Sequence, residues 1–255
     1  MKYGIMNNPA NDLYKEIKTF SEMDADFIDL TLEPPKASLE QLDPKTVKNQ
    51  LKKYNIGITG HTAWFLPFQN GIKEVRDATA DYLIKCYYFF QEAGSKNVNF
   101  HLMPAEGFFN KEDLVKFYSQ VLNETYKKID NNLNLMIEHT SASQEQFFIL
   151  DKLFKKFPKL KFHLDIGHAN IGTKENATEK FLKKYHKKLE HVHISDNRGE
   201  DDHLPVGVGN INWNKIAKLF KKYKYDNTIT PEIFSNDRSY WKISRDKFKN
   251  YLKNV

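Results

Sequence analysis

Six segments with the composition of β-strands each end in a side chain of a type that binds metal ions. Three of these side chains are imidazoles and three are carboxylates: His61, His101, Glu138, Asp165, His193 and Glu232. Imidazole and carboxylate without thiolate suit Zn²⁺, Mn²⁺, Fe²⁺ or Co²⁺, and they argue against an iron–sulfur cluster or a Cys-rich structural zinc site. The pattern therefore predicts a catalytic centre for divalent metal, provided that the fold brings the strand ends together.

The spacing of these segments indicates a regular alternation of strands and helices. Between neighbouring segments lies a stretch long enough for one helix and two short loops. Two earlier units, which begin with strand-like segments at 2–6 and 26–33, raise the number of βα units to eight. Eight such units in 255 residues predict an α/β fold, a single (β/α)8 TIM barrel whose one domain covers 1–255. All strand C-termini of that fold open on one face, so the six side chains would converge there.

Residue alternation within the strands predicts which side chains face the barrel axis. In 97–101, Val98 and Phe100 face one way, whereas Asn99 and His101 face the other. We expect the apolar set to pack against the helices and the polar set to face the axis.

Two histidines share this inward parity but lie two positions earlier in their strands than the ligand-type residues Asp165 and His193. These are His163 and His191. We interpret them as hydrogen-bonded residues of the barrel interior rather than as metal ligands.

Two of the intervening stretches carry helix signatures. In 213–224 the apolar residues follow the i, i+3, i+4, i+7 spacing after a potential N-cap at Asn212, and 143–157 behaves similarly after Ser143. Lysines occupy the outer faces. Core packing explains both apolar stripes without a partner-binding role.

Three further residues that could bind metal lie in the loops after these strands, namely His168, Asp201 and His203. With the six strand ends they make nine candidates, whereas one tetrahedral zinc ion needs only four ligands. We therefore expect that a chain can bind more than one divalent ion.

Composition and charge narrow the function classes. The hydrophobic content of 40% supports a full core in one domain, and no apolar run approaches the length of a membrane span. With no basic segment and cleavage site at the N-terminus, we expect a cytoplasmic protein without a membrane partner and leave its oligomeric state open. The single Cys86 is interpreted as a small buried hydrophobe. The net charge of +6 comes from lysines on helices, which we interpret as solvated surface.

The motifs around these residues resemble the xylose isomerase-like TIM-barrel superfamily, which includes endonuclease IV and many sugar or sugar-phosphate isomerases and epimerases. The run FHLDIGHANIG is followed by HVHISDN and DDHLPVGVGNINW, with IEH before it and PEIF at the end. The resemblance runs from about His61 to Glu232 and implies the barrel fold over the whole chain.

The resemblance to the isomerases and epimerases implies one divalent cation, often Mn²⁺, held by Glu138, Asp165, His193 and Glu232. The catalytic pair would be Glu138 and Glu232, which lie on opposite sides of the sugar and move the proton next to its carbonyl through an enediolate. The residue after Glu138 is commonly Asn in the family and is His139 here, so we expect the surroundings of the ligands to differ.

The resemblance to endonuclease IV implies that a larger set of residues binds metal ions and that the reaction is different. That enzyme holds three zinc ions with nine residues, and the chain has a matching residue type at each motif position: His61, His101, Glu138, Asp165, His168, His193, Asp201, His203 and Glu232. This branch implies cleavage of duplex DNA at abasic sites, with Glu138 bridging two ions beside the attacking hydroxide.

Loop sequences favour the sugar branch. Trp64 and Phe65 would serve equally as a wedge in DNA or as an apolar lid over a sugar. The loop TLEPPKASLEQ has only one lysine, and only nine residues separate His193 from His203, fewer than we expect in DNA-cleaving relatives. Arg198 is a candidate contact for an anionic substrate. We therefore predict a metal-dependent isomerase or epimerase of a sugar or sugar phosphate, with apurinic/apyrimidinic endonuclease as the alternative.

Overall fold

A computed structural model describes all residues from Met1 to Val255. Eight parallel strands form a closed barrel, and eight α-helices surround it. The order of the strands around the barrel follows the chain, and the last strand pairs with the first. The predicted (β/α)8 TIM barrel is confirmed.

The strands are β1 (Lys2–Met6), β2 (Phe27–Leu32), β3 (Gly57–Thr62), β4 (Asn97–Leu102), β5 (Asn134–His139), β6 (Lys161–Asp165), β7 (Leu189–Ile194) and β8 (Thr228–Pro231). The helices are α1 (Leu13–Glu22), α2 (Pro44–Lys53), α3 (Lys73–Ala93), α4 (Lys111–Lys128), α5 (Gln144–Lys156), α6 (Thr178–Tyr185), α7 (Trp213–Lys222) and α8 (Ser239–Lys253). Two short 3₁₀ helices cover His168–Asn170 and His186–Lys188.

Polar side chains fix the starts of several helices. Asn212 accepts a hydrogen bond from the Lys215 amide at 3.0 Å at the start of α7, and Ser143 accepts one from the Gln146 amide at 3.2 Å at the start of α5. Both predicted helices and both predicted caps are confirmed. None of the helices has the length and apolarity that a membrane span requires.

The apolar core lies between the barrel and the ring of helices. Val98 and Phe100 are fully buried there, and the Phe100 ring stacks on Phe68 with 4.7 Å between centroids. Most of the buried apolar residues, 61 in number, form one contiguous cluster, so the helices and the outward faces of the strands share a single core. The predicted alternation within 97–101 is confirmed.

The interior of the barrel is polar, whereas TIM barrels are usually filled by branched apolar side chains. Most inward positions of the strands hold buried polar or charged residues: Asp29, Thr31, Thr59, His61, Asn99, His101, Glu138, His163, Asp165, His191, His193 and Thr230. Burial of such groups is costly unless each finds a partner. The interior is therefore organised by hydrogen bonds and charge pairs rather than by apolar packing.

Strand β1 approaches its neighbour closely at Gly4, where an added Cβ atom would lie 2.1 Å from the Phe27 ring. We expect Gly4→Ala to lower the free energy of unfolding by about 1–3 kcal/mol through overpacking, as measured by denaturant titration. Gly57→Ala is the matched control, because its Cβ atom would lie 3.2 Å from Phe27 Cβ and needs only a small adjustment. Equal losses in the two variants would contradict this steric explanation.

Candidate metal centre

Strand geometry brings the six ligand-type strand ends to one mouth of the barrel, where all six side chains are buried. His61, His101, Glu138 and His193 are the penultimate residues of β3, β4, β5 and β7, Asp165 ends β6, and Glu232 directly follows β8. Register places His101 beside Glu138 and Asp165 beside His193. Their similar depth follows from this pairing of parallel strands.

Four of these residues form a compact group, which we call the four-residue group: Glu138, Asp165, His193 and Glu232. One ligand atom from each lies within 4.8 Å of all the others. His193 Nδ1 is central, at 3.1 Å from Glu232 Oε2, 3.7 Å from Glu138 Oε1 and 3.8 Å from Asp165 Oδ2. This is the set that resemblance to the isomerases implies for one cation.

The four-residue group fits a divalent cation. Two of its buried oxygens, Glu138 Oε1 and Asp165 Oδ2, accept no hydrogen bond. Unpaired buried acceptors are costly, and native structures rarely leave them without a protein, water or ion partner. Three carboxylates and one imidazole are donors that Mn²⁺ and Zn²⁺ accept. A cation held here would satisfy both oxygens and offset the repulsion among the carboxylates.

The close approach of buried carboxylates and imidazoles shifts the pKa values of the four-residue group. Burial, reinforced by the charges of Glu232 and Glu138, raises the pKa of Asp165 to about 6. Burial would also raise the pKa of Glu138, but nearby imidazoles, that of His163 foremost, hold it well below its usual range. A cation near these carboxylates would favour the ionised form of each.

Two further groups of ligand-type side chains flank the four-residue group. The Nε2 atoms of His61 and His101 each lie 3.4 Å from Glu138 Oε2. On the other side, Asp201 Oδ1 lies 3.0 Å from His203 Nε2 and 3.6 Å from His168 Nε2. All nine candidate ligands are therefore contiguous, and the number of ions that they bind remains a prediction.

The sequence model of the family described as "Xylose isomerase-like TIM barrel" matches residues 17–251. The chain belongs to this family. The resemblance inferred from the strand-end motifs is thereby confirmed. Two uncharacterized proteins of Methanocaldococcus jannaschii are 33% identical over 116 residues and 41% identical over 93 residues. These matches cover 41% and 36% of the chain and 45% and 31% of the relatives, so the chain spans less than half the length of either.

Solved structures share the fold of this xylose isomerase-like barrel over nearly the whole chain. A D-tagatose 3-epimerase-like protein has a TM-score of 0.87 at 22% identity, with 100% of this chain and 98% of that chain covered. An L-ribulose 3-epimerase has a TM-score of 0.75 at 14% identity, with 99% of this chain and 95% of that chain covered. A D-allulose 3-epimerase from Methylomonas sp. in complex with D-allulose has a TM-score of 0.73 at 18% identity, with 100% of this chain and 96% of that chain covered. At these identities the likeness shows the fold alone.

A cavity of about 920 Å³ opens over the candidate ligands at the mouth of the xylose isomerase-like barrel. Trp64 lines it with a side chain that is 55% exposed. The Phe65 ring packs edge to face on the Trp64 ring, with 5.7 Å between centroids, but Phe65 does not line the cavity. Arg198 also lies outside it, where its guanidinium donates to the Val208 carbonyl at 3.5 Å. Of the three predicted substrate contacts, only Trp64 faces the cavity.

His139, at the position where the family commonly has Asn, supports two candidate ligands from outside the barrel. Its ring packs on Phe181 with 3.9 Å between centroids, and its Nε2 accepts a hydrogen bond from the Asp165 amide at 3.3 Å. Its backbone carbonyl accepts one from His168 Nδ1 at 2.9 Å. Since Nδ1 carries that proton, Nε2 is the nitrogen of His168 that remains for a ligand.

Interior residues that were not predicted to be ligands also touch the ligands. Asn99 donates its side-chain amide to Glu138 Oε2, and Asp29 accepts from His193 Nε2 at 2.9 Å. His191 is hydrogen-bonded as expected, but neither ring nitrogen of the buried His163 has a partner, although Nδ1 lies 3.1 Å from Glu138 Oε2. For Asn99 and Asp29 the available signal was a polar residue at an inward position of a strand.

The loop after β7, which carries Asp201 and His203, is organised by one buried carboxylate. Asp196 accepts hydrogen bonds from the amides of Gly207 at 2.8 Å and Ile211 at 3.2 Å, and from the Trp213 indole at 2.8 Å. This carboxylate therefore fixes the path of the loop that presents two candidate ligands.

We expect Asp196→Ala to lower the free energy of unfolding by about 3 kcal/mol, because buried donors lose their acceptor. Asp202→Ala in the same loop is the control, since Asp202 is exposed and accepts only from the Arg198 amide. That variant should stay within about 0.5 kcal/mol of the parent in chemical denaturation. A loss as small in Asp196→Ala would show that the loop does not depend on this carboxylate.

Proposed function

We propose that this protein is a divalent-metal-dependent epimerase or isomerase of a free sugar, acting by enediolate-type proton transfer. The four-residue group carries the proposal, because it combines a fitting set of metal ligands with two glutamates that approach from different strands. Membership of the xylose isomerase-like family and the shared fold with sugar 3-epimerases support it.

The cation, when held by Glu138, Asp165, His193 and Glu232, would supply Lewis-acid polarisation of the sugar carbonyl. The protein's own contribution is proton transfer. Glu138 on β5 and Glu232 after β8 would act on opposite faces of the carbon next to the carbonyl, one removing a proton and the other returning one. Burial would raise the pKa of both glutamates, but neighbouring imidazoles hold both below the usual range, so either glutamate can remove a proton. The glutamate that returns a proton to the opposite face must first take one up from solvent.

Aromatic side chains at the mouth would bind the apolar face of a sugar. Trp64 and Phe234 both line the cavity, and Phe234 is 69% exposed while it stacks on His203 with 3.9 Å between centroids. Such rings would also limit the access of water to the reacting carbon.

The charges around the cavity favour an unphosphorylated sugar. Arg238 is the only lysine or arginine that lines the cavity, and its guanidinium already donates to Glu16 Oε1 at 2.6 Å. The lining carboxylates are Glu33, Asp201, Glu232 and Asp237. A phosphate group requires unpaired cations or a set of free backbone amides. We therefore narrow the expected substrate from a sugar or sugar phosphate to a free sugar.

The proposal is tested by following the loss of the proton next to the carbonyl of free ketoses in D₂O by ¹H NMR, with protein loaded with Mn²⁺. We expect exchange with the parent protein, and a rate about 10²–10⁴-fold lower in Glu138→Gln and in Glu232→Gln, since each amide is no longer a base. The surface variant Asp202→Asn should exchange at the parent rate. Metal-loaded protein that exchanges no proton in any ketose or aldose tried would contradict the proposal.

Apurinic/apyrimidinic endonuclease activity is the second candidate, favoured by one observation. His168, Asp201 and His203 form a separate group whose ligand atoms lie within 4.8 Å of one another, beyond what an epimerase needs. The test is incision of a duplex that carries one synthetic abasic site by zinc-loaded protein. Incision 5′ to the lesion that Glu138→Ala abolishes would replace the sugar proposal, and intact duplex would eliminate this candidate.

A further inference from the structure

A second buried network lies below the four-residue group and is centred on Asp29 in β2. Its Oδ2 atom accepts from His193 Nε2 at 2.9 Å, from His191 Nε2 at 3.0 Å and from Thr230 Oγ1 at 2.8 Å. All four residues are fully inaccessible to solvent. The ion-pair partners of Asp29 are these two imidazoles, and no lysine or arginine reaches it.

The two ring nitrogens of His193 face opposite ways. Nε2 faces Asp29, whereas Nδ1 faces the carboxylates of Glu232, Glu138 and Asp165. Both nitrogens thus face carboxylates, which only accept hydrogen bonds. With a cation held by Glu232, Glu138 and Asp165, Nδ1 would present its lone pair to the ion, and the proton of the neutral ring would stay on Nε2, where Asp29 accepts it. The unprotonated nitrogen is the one that binds a metal ion. Contact with Asp29 therefore selects both the tautomer and the orientation that the four-residue group requires.

His191 has no such free nitrogen. Its Nε2 donates to Asp29, and its Nδ1 lies 2.7 Å from Thr228 Oγ1. Both nitrogens thus belong to the network, which fixes the position of the Asp29 carboxylate without competing for an ion.

We propose that Asp29 is a positioning residue, which holds His193 with Nδ1 available to the metal ion. The inference rests on the proposed metal-dependent function and extends it to a residue on β2, three strands away from β7 around the barrel. The carboxylate also makes the imidazole a more basic ligand, and such partners typically change metal affinity 10–100-fold.

The test compares metal-free preparations of the parent, Asp29→Asn and Thr230→Val by titration calorimetry with Mn²⁺ and Co²⁺ and by the visible spectrum of the Co²⁺ form. We expect Asp29→Asn to bind about 10–100-fold more weakly, with an altered Co²⁺ spectrum, because the amide no longer compels Nε2 to be the donor. Thr230→Val removes another donor from the same Asp29 oxygen but leaves the His193 contact, so its affinity should change far less.

The outcomes separate the inference from the function on which it rests. If Asp29→Asn binds metal with the affinity and the Co²⁺ spectrum of the parent, the role of Asp29 is overturned while the proposed metal site stands. An equal loss in Thr230→Val would assign the effect to packing and would also overturn it. A parent protein that binds neither ion would instead overturn the proposed function.

A measurement on the unmodified sequence keeps the inference testable if Asp29→Asn does not fold. In protein labelled with ¹⁵N and loaded with ¹¹³Cd²⁺, we expect the metal to couple to Nδ1 of His193, with the proton on Nε2. Coupling to Nε2 of His193, or none to that residue, would overturn the inference.

Discussion

Burial of carboxylates inside a closed barrel is the constraint on which the rest of this structure depends. Asp29, Glu138 and Asp165 have no exposed surface, and Glu232 is nearly buried. Ions removed from water are tolerated only with compensating charge and hydrogen bonds. Histidines supply much of that compensation, but the unpaired oxygens of Glu138 and Asp165 remain. A divalent cation held among these carboxylates, as the proposed function supposes, would supply the missing compensation.

The fold tolerates this polar barrel interior because its stability comes from the apolar core between the strands and the helices. The outward faces of the strands and the inner faces of the helices form one apolar core, with Phe100 and Phe68 among its stacked rings. That core fixes the strands, and parallel pairing then sets neighbouring side chains such as Asp165 and His193 at equal depth. Apolar packing and polar chemistry thus occupy opposite faces of the same strands.

Local patterns were sufficient to predict the barrel and the convergence of its strand ends, since alternation within a strand and the closure of the barrel are regular. They failed where a side chain acts over a distance. Asp29 meets His193 across 164 positions, and no spacing relates them. Arg198 was expected to contact an anionic substrate because it is a cation in a loop after a strand end, but its guanidinium donates to the Val208 carbonyl outside the cavity. His163 has the inward parity that predicts a hydrogen-bonded residue, yet neither ring nitrogen makes a hydrogen bond, although Nδ1 lies 3.1 Å from Glu138 Oε2.

The nine ligand-type residues do not by themselves choose between sugar and DNA chemistry, and the charge of the surrounding wall is what separates the two. A duplex brings a dense row of phosphates, so its binding site needs many cations near the mouth. Here the cavity wall has four carboxylates and a single arginine, which Glu16 already neutralises. Lysine pairs instead occupy the last turns of α5, α6 and α7, and helices of this fold end at the face opposite the mouth. The negative charge at the mouth therefore opposes a polyanion and tolerates a neutral polyol, which supports the proposal of a free sugar over that of duplex DNA.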